Sequence, residues 1–407
     1  MSDLLLRDGL LADGRRVDIG ISGGWIKEVV PAARGDGAGA ESIDLEGRLL
    51  LPALGEPHAH LDKAFTADIF PNPAGDLLGA IEAVQAGWEI MTVGDIVERA
   101  HTAARKLVAS GTTAIRTHAD VRPEAVLKSM EALAEVRRRL QGTCEIQIVA
   151  LGFPLTGPEG AAGRRAQEQA IAAGADLVGG APHLEEDPVA AIAYALDLAV
   201  GNDLAVDLHL DEVLDPSVQH LAELARQTEA AGMGGRVTAS HCVSHGLLAP
   251  EEQRNVGRML ADAGVSVVTL PRTNLFLQSR HIEQAKPRGL AGIRALLDTG
   301  VTMAAGADNV QDPFYIVGRS DPLETASFLV AAAHLTVAEA FDLVTAGVRS
   351  VMGLQSVRIE PGDPAELFAV AAPSVREAIA EQPPDRLVIH EGRVVARTAT
   401  ETWMATG

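Results

Sequence analysis

From residue 105 onward the chain alternates apolar, β-branched runs with Ala/Leu/Glu/Arg-rich stretches of helical period. That rhythm admits little besides a parallel sheet with helices packed on it. The predicted strands are TTAIRTH (112–118), EIQIVAL (145–151), DLVGGAP (176–182), LAVDLHL (204–210), RVTASH (236–241), VSVVTLP (265–271) and VTMAAGAD (301–308). LLLPALGEPHAH (49–60) makes an eighth at the front. In the connecting segment 96–108, Ile96, Val97, Ala100, Ala104, Leu107 and Val108 fall on one helical face. Gly111, Gly174, Gly264 and Gly300 sit where helices should end in a left-handed residue. Eight strands predict a closed, distorted (β/α)8 TIM barrel in preference to an open doubly wound sheet.

Both ends break the rhythm. Residues 3–48 and 359–397 hold short β-like pieces punctuated by glycine, such as DIGISGGWIKEVV and RLVIHEGRVVA. They predict a small β-sandwich assembled from 1–50 and 356–407, flanking a barrel domain of 51–355. The net charge of −21 makes phosphate contacts repulsive, which disfavours nucleic acid and anionic membrane as partners. The N-terminus lacks a basic region ahead of a signal-like apolar run, and no stretch approaches the ~18 apolar residues of a spanning helix. Two cysteines, Cys144 and Cys242, are too few for a disulfide framework. A cytoplasmic location is the expectation, and a homo-oligomer remains open.

In a barrel of this kind, chemistry sits at the C-terminal strand ends. His58 and His60 end the first predicted strand, His118 the second, His209 the fifth, His241 the sixth and Asp308 the eighth. Packing alone does not call for such placement, because buried imidazoles and carboxylates are costly unless paired or metal-bound. His58 and His60, two apart on a strand, point the same way. A nitrogen from His209 and an oxygen from Asp308 would complete a site for one divalent ion, Zn²⁺ or Fe²⁺. Glu212, three residues past His209, is placed to shuttle a proton, and His241 to orient the attacking water. Taken singly each has a plainer reading: a strand-end histidine pair, a turn aspartate, a solvated loop acid. His118 and His183 stand between a supporting role and simple burial, and Lys63 reads as a local ion-pair partner. His245, His281 and His334 read as surface or packing residues, Cys242 as a small buried side chain.

The stretches EPHAHLDK, IRTHADV, GADLVGGAPHLE, DLHLDE, GMGGRVTASHCVSHG and GADNVQDPFYIVG, in this order, resemble the amidohydrolase superfamily, and within it the bacterial cytosine deaminases. The chain is also similar to the N-isopropylammelide hydrolases. The resemblance implies a barrel with a flanking β-sandwich and one iron or zinc held by His58, His60, His209 and Asp308. It also implies Glu212 as the proton shuttle and His241 as the catalytic histidine. Two departures concern the substrate. Where cytosine deaminases carry a glutamine that reads the base, this chain reads LGFPLTG, placing Leu155 or Phe153 there. After the metal aspartate comes Asn309 in place of an acid, as in the ammelide hydrolases. With Phe314 and His183, these are the candidate substrate contacts. A site built to hydrogen-bond an amide edge discriminates by orders of magnitude, so its loss argues against cytosine. The expectation is deamination of a small nitrogen heterocycle (a cytosine-like pyrimidine, a purine or a triazine). The alternatives are amide, cyclic-amide or N-alkyl amine hydrolysis, or a binding protein on the same scaffold. Neither EIQIVAL nor DLVGGAP contains the lysine that would bridge two metals.

Overall fold

The structure is a computed structural model describing residues 3–32, 41–123, 127–401 and 403–404; residues 1–2, 33–40, 402 and 405–407 of the expected flanks lie outside the described residues. Eight parallel strands follow one another in chain order around a barrel. They are β1 (Leu54–Ala59), β2 (Thr112–Val121), β3 (Glu145–Gly152), β4 (Leu177–Gly180), β5 (Ala205–Leu210), β6 (Val237–His241), β7 (Val265–Thr269) and β8 (Met303–Ala305). All ten residues of β2 are buried, as expected of a parallel strand covered on both faces. The barrel closes just past β8: the Asp308 N–H donates to His58 O at 3.0 Å and the His60 N–H to Asp308 O at 3.1 Å. Closure is therefore made by the residues the sequence marks for chemistry.

Helix Val93–Ala109 buries the predicted face, Ile96 to Val108, against the barrel. The four helix-ending glycines all have positive φ, between 68° and 107°. The flanking β domain comes from both chain ends. Its sheet runs 393–397, 386–390, 367–370, 49–52, 4–10, 16–22 and 25–31, with 41–44 added beside 4–10. Leu6, Ile19, Ile26, Leu50, Leu367 and Ile389 form its apolar core. Among the described residues no helix is long and apolar enough to cross a membrane.

The predicted strands differ from the observed ones in extent, three of them for a visible physical reason. The run 49–60 divides: Leu49–Pro52 pairs antiparallel with Leu367–Val370 in the flanking sheet, and β1 begins at Leu54. Pro52 has no N–H to continue a ladder. The next two N–H groups then change sheets, Ala53 donating to Glu366 O and Leu54 to Gly111 O. DLVGGAP ends at Gly180, and Pro182–Leu184 forms a 3₁₀ turn. In 301–308 only Met303–Ala305 is strand, because the chain turns inward over Glu56. An added Cβ on Gly306 would meet Glu56 Oε1 at 2.5 Å.

Candidate active site

The ends of β1, β5, β6 and β8 converge at the barrel mouth. His209 Nε2 lies 3.1 Å from both His58 Nε2 and His60 Nε2. Asp308 Oδ1 is 3.4 Å from His60 Nε2 and 3.8 Å from His58 Nε2, and Oδ2 is 3.9 Å from His241 Nε2. His241 and Asp308 hold φ near +72° and +68°, a left-handed backbone that non-glycine residues adopt at a cost of about 1–3 kcal/mol and that clusters at functional sites. His118 stacks on His58 with ring centroids 3.9 Å apart, and neither of its ring nitrogens has a hydrogen-bond partner among the described residues.

This donor set fits a divalent ion. Burial keeps His58 and His60 neutral well below the usual histidine range and, with His183 and Lys63 adding, takes His209 down to about 3. Neutral imidazoles facing one another through Nε2 present lone pairs that at most one hydrogen could bridge. Ligand nitrogens 2.0–2.1 Å from a tetrahedral ion lie about 3.3 Å apart, close to the spacing here. The His58 tautomer is also set for it. Its Nδ1–H donates to Ser240 Oγ (3.0 Å), whose hydroxyl donates to Asp207 (2.8 Å), itself held by Arg116 (2.8 Å). That leaves Nε2 bare toward the cluster.

Glu212, buried just beyond β5, places Oε1 3.2 Å from His241 Nδ1. Burial first, then the charge of Asp308, holds its carboxyl well above the ordinary glutamate range. Asn274 donates to the same Nδ1 at 3.1 Å. With Nδ1 an acceptor, the hydrogen of His241 rests on Nε2, which has no hydrogen-bond partner among the described residues and faces Asp308.

The cluster forms the floor of a cavity of about 750 Å³, counting its open mouth. Phe153, Phe314, Asn309 and His183 line it as expected. Leu155 does not; of the two sequence alternatives, Phe153 is the one on the cavity wall. Leu155 is buried beside Gly180, its N–H taken by Glu185 at 2.6 Å and its carbonyl by Arg164. Asn309 is fixed by Thr273 (3.1 Å) and Asp312 (2.9 Å). His183 donates from Nδ1 to His209 O at 3.2 Å, and burial brings it to about 4, so Nε2 is a bare acceptor. Lys63 pairs with Asp120 at 2.6 Å and Asp62 at 3.5 Å. His245 is a packing residue, bonded to Gln253 O and the Gly292 N–H.

Sequence reasoning missed Ser240 and Asn274, and also Leu77, Ile81 and Val84, which form one cavity wall from helix Leu77–Gly87. Their spacing of four and three was a readable helical face, though it reads equally as core.

Residues 95–396 match the amidohydrolase family. A pterin deaminase of Rhizobium rhizogenes is 32% identical over 94% of this chain and 88% of its own length. The crystal structure of 5-methylcytosine deaminase from Klebsiella pneumoniae with 5-fluorocytosine superposes with TM-score 0.89 at 28% identity, covering 98% of this chain and 99% of that one. N-isopropylammelide isopropylaminohydrolase from Burkholderia multivorans gives TM-score 0.84 at 31% identity over 98% and 99%.

Proposed function

The chain belongs to the amidohydrolase family, and from that premise we propose that it deaminates a small amino-substituted nitrogen heterocycle, releasing ammonia. One divalent ion, Zn²⁺ or Fe²⁺, is held by His58, His60, His209 and Asp308. Two of the similar proteins are named for deamination, of pterin and of 5-methylcytosine, which supports this reading. The observation that carries it is the buried Glu212 carboxyl, its pKa pushed well above the ordinary glutamate range by burial and by the charge of Asp308, within 3.2 Å of His241 at the edge of the donor cluster.

The ion supplies Lewis acidity and water activated for attack at neutral pH. Glu212 gives its proton to the ring nitrogen beside the attacked carbon. It then takes one proton from the attacking water and passes it to the departing amino group, which leaves as ammonia. Asp308 accepts the remaining proton as the ring carbonyl forms. His241, with hydrogen on Nε2, donates to the oxygen as charge develops there. Phe153, Phe314 and the Leu77–Ile81–Val84 wall hold the flat ring by apolar contact, and His183 Nε2 accepts one of its N–H groups. A ring read this way needs no glutamine at Phe153, which is why cytosine is not the favoured substrate.

An ammonia-release screen over cytosine, isocytosine, isoguanine, pterin and aminotriazines tests the proposal. Turnover of at least one non-cytosine ring is expected, with one metal per chain. Glu212→Gln should keep the metal and lose about 10²–10⁴-fold in rate; near-wild-type turnover by this variant would remove the shuttle role. The apolar walls and the likeness to the isopropylaminohydrolase favour a second reading, release of an alkylamine. Assaying amine beside ammonia separates the two.

A further inference from the structure

Apart from Asp308 and Glu212, the charged side chains on the inner cavity, among the described residues, are Lys63, Asp120 and Arg122. β2 and β3 pair Asp120 with Leu151, so this charged wall adjoins the apolar one that carries Leu151 and Phe153. Asp120 is fixed at both ends. Its backbone N–H donates to Asp62 Oδ2 at 3.0 Å, and its Oδ1 accepts from the Lys63 ammonium at 2.6 Å. Lys63 has Asp62 as a second acid at 3.5 Å, and the Ser129 hydroxyl donates to Asp62 at 2.8 Å. The Lys63 ion pair is thus complete without Asp120 Oδ2.

That second oxygen has no partner among the described residues, and the Asp120 side chain keeps 10% of its surface, where it lines the cavity. Burial alone would raise the Asp120 pKa, but the charges of Lys63 and Arg122 outweigh it and hold it below the ordinary aspartate value. The carboxylate is therefore ionised at neutral pH and only accepts. Arg122, two residues on at the end of an extended strand, faces the same way and lines the same cavity. It is half-buried and forms no ion pair among the described residues. Its Nε is sealed into the wall, which leaves the terminal guanidinium nitrogens as the donors it offers. A fixed acceptor so stands beside a donor. A cationic group would meet Asp120 but be opposed by Lys63 and Arg122, and a carboxylate would meet Arg122 but face Asp120. A neutral ring edge with N–H next to C=O satisfies both.

We propose that Asp120 and Arg122 read a lactam edge of the substrate, Asp120 Oδ2 accepting from the ring N–H and the Arg122 guanidinium donating to the adjacent carbonyl. The substrate class is then an amino-heterocycle that also carries a ring –NH–C(=O)– unit. This rests on the deamination proposed above. The edge is read from β2, one strand spacing or about 4.8 Å from the chain that carries Phe153, so a ring seated on it lies differently from cytosine on a glutamine there.

The test measures ammonia release from two pairs of compounds that differ in the lactam: isoguanine against adenine, and 2-amino-4-oxopteridine against 2-aminopteridine. The quantity read is the ratio of kcat/KM within a pair, compared between wild type and variant, so that intrinsic reactivity cancels. In Asp120→Asn, Lys63 keeps the amide oxygen and the amide NH2 is left facing the ring N–H, donor against donor. The ratio should fall about 10-fold or more, mainly through KM. Arg122→Leu leaves the Lys63 pair intact and should lower the ratio likewise, which keeps the test open should Asp120→Asn not fold. A ratio within twofold of wild type in either folded variant overturns the proposal, including the case where both members of a pair lose activity equally. If no compound releases ammonia, the deamination reading fails by itself. Calorimetric binding of the same pairs then still reads the edge, and equal affinities within each pair overturn it.

Discussion

A histidine that holds a metal through one nitrogen usually donates from the other to an acceptor, which fixes its tautomer and ring orientation. For His58 that acceptor is Ser240 Oγ, backed by Asp207 and Arg116. Ser240→Ala should therefore weaken metal binding about 10–100-fold in a chelator competition, with the fold retained; an unchanged affinity would mean that the His58 ring is held by packing on His118 alone. The proposed ligands were legible because a polar residue ending an apolar strand is a local pattern. Ser240 was not, since its meaning comes from His58, distant in sequence, and a buried strand serine is common. Phe153 and Leu155 could not be separated for a similar reason. Which of them faces the cavity is decided by Glu185, some thirty residues later, holding the Leu155 N–H.

Among the elements, helix Gly160–Ala172 does most to place the loop that carries Phe153. Gly163 lets the helix come so close that an added Cβ would stand 1.7 Å from the Pro154 carbonyl oxygen. Replacing a mid-helix glycine by alanine normally gains about 0.5–1 kcal/mol. Here the clash is with backbone, which cannot rotate away, and overpacking of this kind costs about 1–3 kcal/mol. Gly163→Ala should thus lower stability in a urea titration despite its better helix propensity. It should also raise KM more than it lowers kcat, because the loop that shifts lines the proposed substrate cavity and does not touch the histidine cluster. A stabilised variant with unchanged KM would show the contact to be loose. Helix Val93–Ala109 was legible from its periodicity, whereas the ends of β1 and β8 were not. Both ends are set by hydrogen bonds exchanged with chain hundreds of residues distant, at Glu366 and at His58.

At the scale of the whole molecule, the flanking domain is joined to the barrel by buried ionic contacts. Arg386, on the flanking sheet, makes two bonds to Asp321 at 3.0 and 2.8 Å, and both side chains are almost fully buried. Removing Arg386 leaves the buried Asp321 only the half-exposed Arg319, 3.1 Å away, as a cation, so Arg386→Met alone should cost about 3 kcal/mol, the low end for a broken buried pair. Adding Asp321→Leu should return part of that loss, read as a non-additive double-mutant cycle in thermal unfolding. A second pair, His390 and Glu366, 2.9 Å apart, lies where the flanking sheet meets the barrel. Burial pulls His390 down, but the hydrogen bond and charge of Glu366 outweigh it and leave its pKa above 6.5. Burial pushes Glu366 up, yet its bond to His390 carries it below 4.5. A raised histidine contributes stability that is complete below its unfolded value, near 6.5, and is lost as pH rises through the folded value. The depressed glutamate contributes above about 4.5 and is lost as pH falls through its own folded value. The pair therefore stabilises most between about pH 4.5 and 6.5. The difference in Tm between wild type and His390→Gln should be largest in that window and shrink toward pH 9. A difference that stays constant to pH 9 would mean that the contact is a neutral hydrogen bond and not an ion pair.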